Sequence, residues 1–176
     1  QGIECIVTRE PGGTPLAEEI REVLIKNREE QVVSETELLL MFAARAQHLH
    51  QKILPALESG VWVISDRFTD ATYAYQSGGR GVPVEKVALL ESFVQGELRP
   101  DLTLLLDAPI EVGMARAKSR GKLDRFEEEQ AAFFNKVRDN YLSRAKVETQ
   151  RFKIIDATQS LESVQADIAE QLKKTL

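Results

Sequence analysis

The sequence is short of cysteine, of histidine and of positive charge, and each shortage excludes a class of protein. Its single cysteine, Cys5, excludes a disulfide framework and predicts a reducing compartment, the cytoplasm. The two histidines, His48 and His50, are two positions apart, so they point to different faces of a helix and predict no metal-ligand cluster. The 23 Lys and Arg are outnumbered by 28 Asp and Glu, which leaves no basic surface for a nucleic acid polymer.

Long hydrophobic runs are also missing. The longest, residues 38–44, spans seven residues, far too few to cross a bilayer, and we expect no membrane association. The remaining composition, with 10 Gly, 6 Pro and 43% hydrophobic residues, is ordinary for a soluble globular protein. At 176 residues the chain has the size of one α/β domain, so we expect a single domain over residues 1–176.

Short apolar runs alternate with longer segments of helical periodicity. Strands are predicted at residues 3–8, 61–65, 102–106 and 152–155. Helices are predicted at residues 15–26, 34–59, 84–98, 109–119, 126–145 and 160–174. The strands contain few polar residues, as strands covered on both faces do. The alternation therefore predicts an α/β fold, a parallel sheet with helices on both faces.

The helix starts carry local signals. Thr14 followed by Pro15 is typical of an N-cap and the first helical position. Ser34 and Glu37 have the spacing of a capping box and predict the start of the long helix. Arg45 lies among apolar residues of that helix, so we expect it to have an anionic or hydrogen-bonding partner.

Polar residues follow all four predicted strands. The first strand is followed by Arg9 and Glu10, the second by Asp66 and Arg67, and the last two by aspartates, at positions 107 and 156. In parallel sheets ligands bind beyond the carboxyl ends of the strands. Because arginine matches phosphate oxygens with two hydrogen bonds, this pattern predicts a cleft for a phosphorylated small molecule.

These segments each have two interpretations. The glycines of the sequence TREPGGT (8–14) either bring backbone amides close to a phosphate or only form a tight turn. Asp66 and Arg67 either hold a hydrated metal ion and a phosphate or only tie down a loop. If the next segment is helical, one face contains Thr72, Tyr75 and Gln76, which could contact a polar ring or a sugar.

Two further segments could close over a ligand. The glycine-rich loop 77–83 is mobile by composition. Residues 119–128 form a cation-rich, glycine-containing junction between two helices, typical of a lid over a transferring phosphate. The arginines in and beside this junction are Arg116, Arg120 and Arg125. The alternative is that Asp124 only caps the following helix together with Glu127.

Five motifs resemble those of bacterial thymidylate kinases and occur in the same order. They are TREPGGT (8–14), LMFAAR (40–45), DRF (66–68), YQxGGRG (75–81) and RGxLDR (120–125). The resemblance implies a three-layer P-loop kinase fold with a lid at 119–128. It also implies a kinase that transfers the γ-phosphoryl group of ATP to dTMP with Mg²⁺, giving dTDP for dTTP synthesis. The family is generally homodimeric, and we expect the interface on the long helix from Ser34.

The resemblance assigns the phosphates and the metal ion to residues near the first two strand ends. Arg67 is implied to bind the dTMP phosphate, assisted by Arg21 and with Arg45 as a further candidate. Glu10 and Asp66 are implied to lie around the phosphates and the hydrated metal ion, with Asp66 as the metal ligand.

The nucleoside is assigned to the long helix and the segment after the second strand. Arg45 and Gln76 are implied to hydrogen-bond the thymine edge, Thr72 to lie near the base and its methyl group, and Tyr75 to lie against the deoxyribose.

The position that stacks on thymine in the family is occupied differently here. An aromatic residue is expected four positions before Arg45, where this chain has Met41, and Phe42 is one position later. One residue turns a helix by about 100°. Phe42 therefore either stacks on the base or belongs to the apolar core stripe of the helix.

The ATP side is assigned to the second half of the chain. Arg120 and Arg125 are implied to reach the transferring phosphate and Arg116 to lie flat on adenine. The loop at Asp156 and Ala157 is implied to complete the adenine pocket through backbone groups.

The chain departs from the family in one respect. The phosphate-binding pattern GxxxxGK[ST] is not present, and the residues from Gln1 resemble the family's entry into its second strand. We expect that the sequence is trimmed, because removing a central strand would expose both of its neighbours. A true fragment of this kind is expected not to turn over ATP.

Two other functions remain open at the level of sequence. One is a P-loop kinase for a different nucleotide, which the donors and acceptors of Arg45 and Gln76 would distinguish. The other is a nucleotide-binding or partner-binding module without catalysis.

Overall fold

Strands and helices alternate along the chain in the computed structural model, which describes residues 2–119 and 124–175. They form two units, Gln1–Leu98 and Arg99–Leu176. The first unit contains β1 (Cys5–Arg9), α1 (Pro15–Ile25), α2 (Ser34–His48), a π-helical segment (Leu49–Ile53), α3 (Leu54–Glu58), β2 (Trp62–Asp66), α4 (Thr69–Thr72), a second π-helical segment (Tyr73–Gly79) and α5 (Val84–Gln95). The second unit contains β3 (Thr103–Asp107), α6 (Ile110–Ser119), α7 (Ala131–Val147), β4 (Phe152–Asp156) and α8 (Leu161–Thr175). The α/β class is confirmed, while the single domain over residues 1–176 stays a prediction.

In each unit the two strands run parallel and end level with each other. β1 pairs with β2 so that Arg9 is opposite Asp66, and β3 pairs with β4 so that Asp107 is opposite Asp156. Parallel pairing brings the carboxyl ends of both strands to the same edge. The polar residues predicted to follow the strands therefore meet in pairs within each unit.

The strands are less covered than their composition predicts. Val7, Ile64 and Leu106 are 70%, 52% and 52% exposed. In the first unit α3 packs on β2, and in the second α7 and α8 pack on the strands. Within the described part of the chain, these strands therefore have one apolar face exposed to solvent.

The long helix predicted over residues 34–59 is helical from Ser34 to Glu58, but it is not α-helical throughout. The π-helical segment Leu49–Ile53 comes just before Pro55. Proline has no N–H to donate and its ring crowds the preceding turn. A wider π turn at this point accommodates that crowding.

Two predictions near the lid and the glycine-rich loop are wrong. The helix predicted to begin at residue 126 begins at Ala131, because Asp124 Oδ1 accepts from the backbone N–H groups of Phe126 and Glu127 (2.9 Å each) and closes a separate turn. The loop predicted at 77–83 begins inside the π-helical segment, and its Val82 is buried.

Both helices start where the sequence predicts, at Pro15 and Ser34, but the two predicted caps have different outcomes. Thr14 caps α1 as predicted, since its hydroxyl accepts from the N–H of Ala17 at 3.4 Å. The capping box at Ser34 is wrong. Val33 is the N-cap of α2, and the side chain of Glu37 is fully buried, where it bonds other residues.

The core of the first unit joins α2, the second π-helical segment and α5. Its buried apolar residues are Leu38, Phe42, Tyr73, Val82 and Val87. The Tyr73 hydroxyl also donates to Glu91 of α5 at 2.6 Å. This packing holds residues 69–79 against the helix that contains Arg45.

None of the helices in the described ranges combines the length and the apolarity that a membrane span requires.

A two-point ion pair ties α7 to the end of β3 in the second unit. Arg138 donates from Nε and Nη2 to the two carboxylate oxygens of Asp107 at 2.7 and 2.8 Å. The Arg138 hydrogen bond holds the pKa of Asp107 below its usual value of 3.8. A carboxyl group with a lowered pKa stabilises the fold above its unfolded pKa, and this stabilisation is lost as the pH falls through the folded pKa.

We predict that Arg138→Met lowers the melting temperature at pH 7, because it removes the partner of a half-buried carboxylate. The difference from the wild type should shrink as the pH falls below 3.8 towards the lowered pKa of the folded Asp107, where the carboxylate becomes protonated. Thermal unfolding between pH 7 and pH 3 measures both effects. Lys174→Met, which removes an exposed ion pair with Glu170, is the control and should change little. A difference that does not vary with pH would contradict the assignment.

Candidate active site

Arg45 is the best-enclosed cation of the first unit's candidate site. It is 2% exposed, and its guanidinium carbon lies 4.7 Å from the ring centre of Phe42 and 5.3 Å from that of Phe68. Aromatic rings attract a cation through their faces, and the attraction is stronger away from water. The guanidinium is therefore held between α2 and the residue that follows Arg67.

Hydrogen bonds orient the same guanidinium group. Nε donates to Glu10 Oε2 at 2.7 Å, and Nη2 donates to Thr72 Oγ1 at 2.9 Å. The prediction that Arg45 has an anionic partner is confirmed. Its third nitrogen, Nη1, is buried and has no hydrogen-bond partner. A buried donor left in this way costs about 1–3 kcal/mol, so the atom is available to a ligand acceptor.

Glu10 is surrounded by protein groups. It is 5% exposed, and its second oxygen, Oε1, lies 3.1 Å from Nδ1 of the fully buried His48. The other ring nitrogen, Nε2, lies 2.7 Å from the hydroxyl of Thr8. Both oxygens of Glu10 are thus engaged with side chains of α2, and its expected place around the phosphates and the metal ion stays a prediction.

Gln76 is the second buried polar group of the site. It is fully buried, and its amide nitrogen donates to Glu37 Oε1 at 2.8 Å. Arg80 Nε donates to the same oxygen at 3.2 Å. The amide oxygen of Gln76 is buried and has no hydrogen-bond partner. The site therefore offers one acceptor in addition to the donor on Arg45.

Helical geometry explains why the polar residues predicted after β2 lie together. The segment predicted as conditionally helical is α4 followed by π-helix, and Thr72 and Gln76 are about one turn apart on it. Thr72 bonds Arg45 of α2, and Gln76 bonds Glu37 of the same helix. This segment and α2 therefore enclose the unpartnered donor and acceptor between them.

Arg67 marks the end of β2 with an uncommon backbone conformation. Its φ of 65° lies in the left-handed region, which costs a residue other than glycine about 1–2 kcal/mol. Its exposed guanidinium lies 4.9 Å from the ring centre of Tyr75. Arg21, the other predicted phosphate ligand, donates from Nη1 to the carbonyl of Pro11 at 3.0 Å. Arg67 therefore lies directly after β2, and Arg21 reaches from α1 to the loop after β1.

Asp66 is exposed at the same edge. An open cavity of about 660 Å³ lies beside it and is also lined by Thr8, Arg9, Gly13 and Thr14. No hydrogen bond or ion pair engages the Asp66 carboxylate within the described part of the chain. Within the same residues, no group of three or more His, Cys, Asp and Glu side chains forms a metal cluster.

The glycine turn after β1 is held by its own helix. The amide of Gly13 donates to Glu18 Oε1 at 2.8 Å, and Arg9 donates to Glu18 Oε2 at 2.8 Å. The Arg9 hydrogen bond keeps the pKa of Glu18 below its usual value. Because Glu18 already occupies the amide, these contacts favour the tight-turn interpretation of TREPGGT for Gly13.

The second unit brings together three of the residues predicted for adenine. Arg116 Nη1 donates to the carbonyl of Ala157 at 2.8 Å. Asp156 Oδ1 accepts from the backbone N–H of Thr158 at 2.8 Å and from its hydroxyl at 2.6 Å. These Thr158 hydrogen bonds lower the pKa of Asp156. The loop after β4 is thereby fixed beside α6.

The lid is described in part. Arg120 lies outside the described residues, and Arg125 has its guanidinium 4.4 Å from the ring centre of Phe126. Glu127 accepts from the backbone N–H of Asp124 at 3.2 Å, so the two residues bond reciprocally as the alternative predicted, but they cap a separate turn and not the helix that begins at Ala131. Capping of this turn is compatible with a lid, because it does not use the Arg125 side chain.

Phe42 is placed in the core. It is 2% exposed and belongs to the buried cluster, while Met41 is half-buried. This favours the core alternative that the sequence left open. Contact of either side chain with a base stays a prediction.

Three residues of the site were not predicted to contribute to it: Glu37, His48 and Phe68. Glu37, Arg45 and His48 are spaced by eight and three residues, so they share one face of a helix. Phe42 shares part of that face. Buried charge on an apolar helix face is the signal that would have found them.

Comparison with known proteins decides the family. A family model described as thymidylate kinase matches residues 1–168. The chain belongs to the thymidylate kinase family. The thymidylate kinase of Pseudomonas entomophila (strain L48) is 64% identical over 168 residues, which cover 96% of this chain and 80% of that protein. That of Pseudomonas syringae pv. tomato (strain ATCC BAA-871 / DC3000) is 58% identical over 176 residues, 100% of this chain and 84% of that protein.

A solved structure agrees with this assignment. The crystal structure of thymidylate kinase from Ehrlichia chaffeensis superposes with a TM-score of 0.75 at 30% identity, covering 96% of this chain and 80% of that one. This thymidylate kinase chain therefore has the P-loop nucleoside monophosphate kinase fold that its motifs imply.

We predict that Gly13→Ala destabilises the protein by about 1–3 kcal/mol more than Gly81→Ala. A Cβ at Gly13 would lie 2.4 Å from His48 Nε2 and 2.6 Å from Thr8 Oγ1, whereas one at Gly81 meets nothing within 4 Å. Both glycines have positive φ (92° and 77°), so the control includes the backbone cost. Urea denaturation measures the free energies of unfolding. Equal losses would show that the close approach at Gly13 does not matter.

Proposed function

We propose that this thymidylate kinase chain transfers the γ-phosphoryl group of ATP to dTMP, giving dTDP, and that its first unit contains the dTMP site. One observation carries the proposal: Arg45 Nη1 and Gln76 Oε1 are a buried donor and a buried acceptor without hydrogen-bond partners. Thymine presents an acceptor, O4, next to a donor, N3–H. A thymine edge would satisfy both protein atoms at once.

The energies of unsatisfied polar groups support the same pairing. Each unsatisfied buried polar group costs about 1–3 kcal/mol, which a bound base would recover. A site built to bond specific groups also rejects bases that leave those groups unpaired. Guanine and cytosine present other patterns of donors and acceptors, so the pair also supports discrimination among nucleotides.

The phosphate and sugar of dTMP are assigned to the loop after β2. Arg67 is exposed at the strand end, where a guanidinium can bind phosphate oxygens with two hydrogen bonds. Arg67 contacts the ring of Tyr75, so an aromatic face lies next to the arginine that would bind the phosphate. This contact supports Tyr75 as the residue that lies against the deoxyribose. We assign Arg21 as the assisting cation and Thr72 as a neighbour of the base.

We keep Glu10 around the phosphates and the metal ion, as the resemblance implies, and its hydrogen bonds add a positioning role. Its carboxylate bonds Arg45 Nε and lies against His48, and both partners are buried. We assign Glu10 as the residue that positions Arg45 for the base.

Mg²⁺ is assigned to Asp66. Mg²⁺ prefers oxygen ligands and keeps several waters, so in kinases it needs only one or two carboxylates in addition to substrate phosphates. The exposed Asp66 carboxylate beside the cavity fits that requirement. A bound Mg²⁺ would neutralise the charge of the ATP phosphates.

The ATP side is assigned to the second unit, and the whole chain to one kinase domain with a lid at 119–128. The hydrogen bond from Arg116 to Ala157 supports an adenine pocket at α6 and the loop of Asp156. Arg120 and Arg125 are assigned to the transferring phosphoryl group, where cations stabilise the developing charge.

The test is an ADP-release assay on the full-length protein, with dTMP, dUMP, dGMP and dCMP as acceptors. We expect dTMP to be the preferred acceptor. Arg67→Ala should raise the Kd for dTMP by calorimetry about tenfold to a hundredfold, as loss of charged hydrogen bonds predicts. Arg28→Ala is the control, since Arg28 is exposed and bonds only backbone carbonyls among the described residues. An unchanged dTMP affinity in the Arg67 variant would remove Arg67 from the site.

The assembly is proposed to be a cytoplasmic homodimer. Leu39 on α2 is 56% exposed, and Leu89 and Phe93, one turn apart on α5, are 69% and 84% exposed. The helices α2 and α5 pack together, so exposed apolar residues occur on two neighbouring helices. These side chains support an interface that includes the long helix from Ser34.

We predict that Phe93→Glu converts the dimer into a monomer, because it puts a charge into the apolar contact. Light scattering at micromolar concentration measures the molar mass. Val147→Glu is the matched control, because Val147 is equally exposed, at 83%, but lies on α7. A monomeric wild type, or a Phe93 variant that stays dimeric, would contradict the interface.

A further inference from the structure

Glu37 has no role in the proposed reaction, yet it is a fully buried carboxylate in the candidate site. It lies on α2, two turns before Arg45, and accepts hydrogen bonds from Gln76 Nε2 at 2.8 Å and Arg80 Nε at 3.2 Å. Burying a charge is costly unless it is paired and hydrogen-bonded, and Arg80 supplies the opposite charge. A hydrophobic residue would have filled this core position at a lower cost.

The chemistry of a carboxylate determines which way its neighbour points. An ionised carboxylate only accepts hydrogen bonds, whereas a glutamine amide has a donating end and an accepting end. Gln76 must therefore turn its NH₂ group to Glu37. Its oxygen is then left on the opposite side of the amide, buried and without a partner.

We propose that Glu37 determines the base specificity of the site by locking the amide of Gln76 in the orientation that presents an acceptor. This inference rests on the proposed dTMP site. With the lock in place, the site offers an acceptor from Gln76 and a donor from Arg45. Thymine and uracil complement that pair, with N3–H and O4.

Cytosine presents the reverse pattern on the same edge, because its N3 accepts and its N4 amino group donates. Cytosine would place its N3 against the oxygen of Gln76 and its amino group against the guanidinium of Arg45. Both contacts are unfavourable. An amide that could rotate would present its NH₂ group to cytosine N3 and remove one of them, so Glu37 excludes dCMP through Gln76.

The test is Glu37→Gln in the full-length protein, with Kd values for dTMP, dUMP and dCMP measured by calorimetry. A glutamine at position 37 can donate as well as accept, so it no longer prescribes the orientation of Gln76. We expect the ratio of dTMP to dCMP affinity to fall about tenfold or more, the size of one base-edge contact. The ratio of dTMP to dUMP affinity should stay unchanged, since uracil and thymine have the same edge.

The control is Glu35→Gln. Glu35 is on the same helix, but its side chain is 60% exposed and pairs with Lys86, so both ratios should remain those of the wild type. If Glu37→Gln fails to fold, Glu37→Gln with Arg80→Gln removes both charges of the ion pair and tests the same orientation.

The outcomes distinguish the lock from a purely structural role of Glu37. If the folded variant loses affinity for dTMP and for dCMP by the same factor, the role of Glu37 is only structural. That result overturns the proposal. If the wild-type protein prefers dTMP to dCMP and Glu37→Gln has the same ratio of dTMP to dCMP affinity, the proposal is also overturned. A wild type that does not prefer dTMP to dCMP overturns the proposed function itself, and the lock with it.

Discussion

The candidate site depends on a single buried cation. Arg45 is held between two aromatic rings and bonded by Glu10 and Thr72, and this leaves one of its nitrogens without a partner. An arginine can be kept out of water only where an anion and hydrogen-bond acceptors surround it. The turn after β1, the middle of α2 and the start of α4 each supply a neighbour, so their positions are linked through this one side chain.

A second network on α2 is also built around a buried charged side chain that is paired and hydrogen-bonded. The fully buried Glu37 pairs with the half-buried Arg80, and Gln76 donates to the same carboxylate from its amide nitrogen. The buried atoms without a hydrogen-bond partner include Nη1 of Arg45 in the first network and Oε1 of Gln76 in the second. A buried polar atom without a hydrogen-bond partner lowers the stability of the fold. Such atoms call for an explanation, and in a binding site the explanation is a ligand that supplies the missing hydrogen bond.

Parts of the site were predictable because they depend on local sequence. The residues at the strand ends follow from parallel pairing, which places Arg9 opposite Asp66 and Asp107 opposite Asp156. The need of Arg45 for an anion follows from its apolar neighbours. Glu37 was misjudged because its spacing from Ser34 matched a capping box, while long-range partners on a different segment decided its position.

The order of strands and helices, the α/β class and the family motifs are properties of the sequence alone, because periodicity and spacing are local and each motif keeps its residues close together. The tertiary structure decided which buried polar groups meet. Glu10 reaches His48 across 38 positions, and Gln76 reaches Glu37 across 39. Contacts between residues so far apart depend on how helices pack, and packing follows from the shape of the whole core rather than from any single segment.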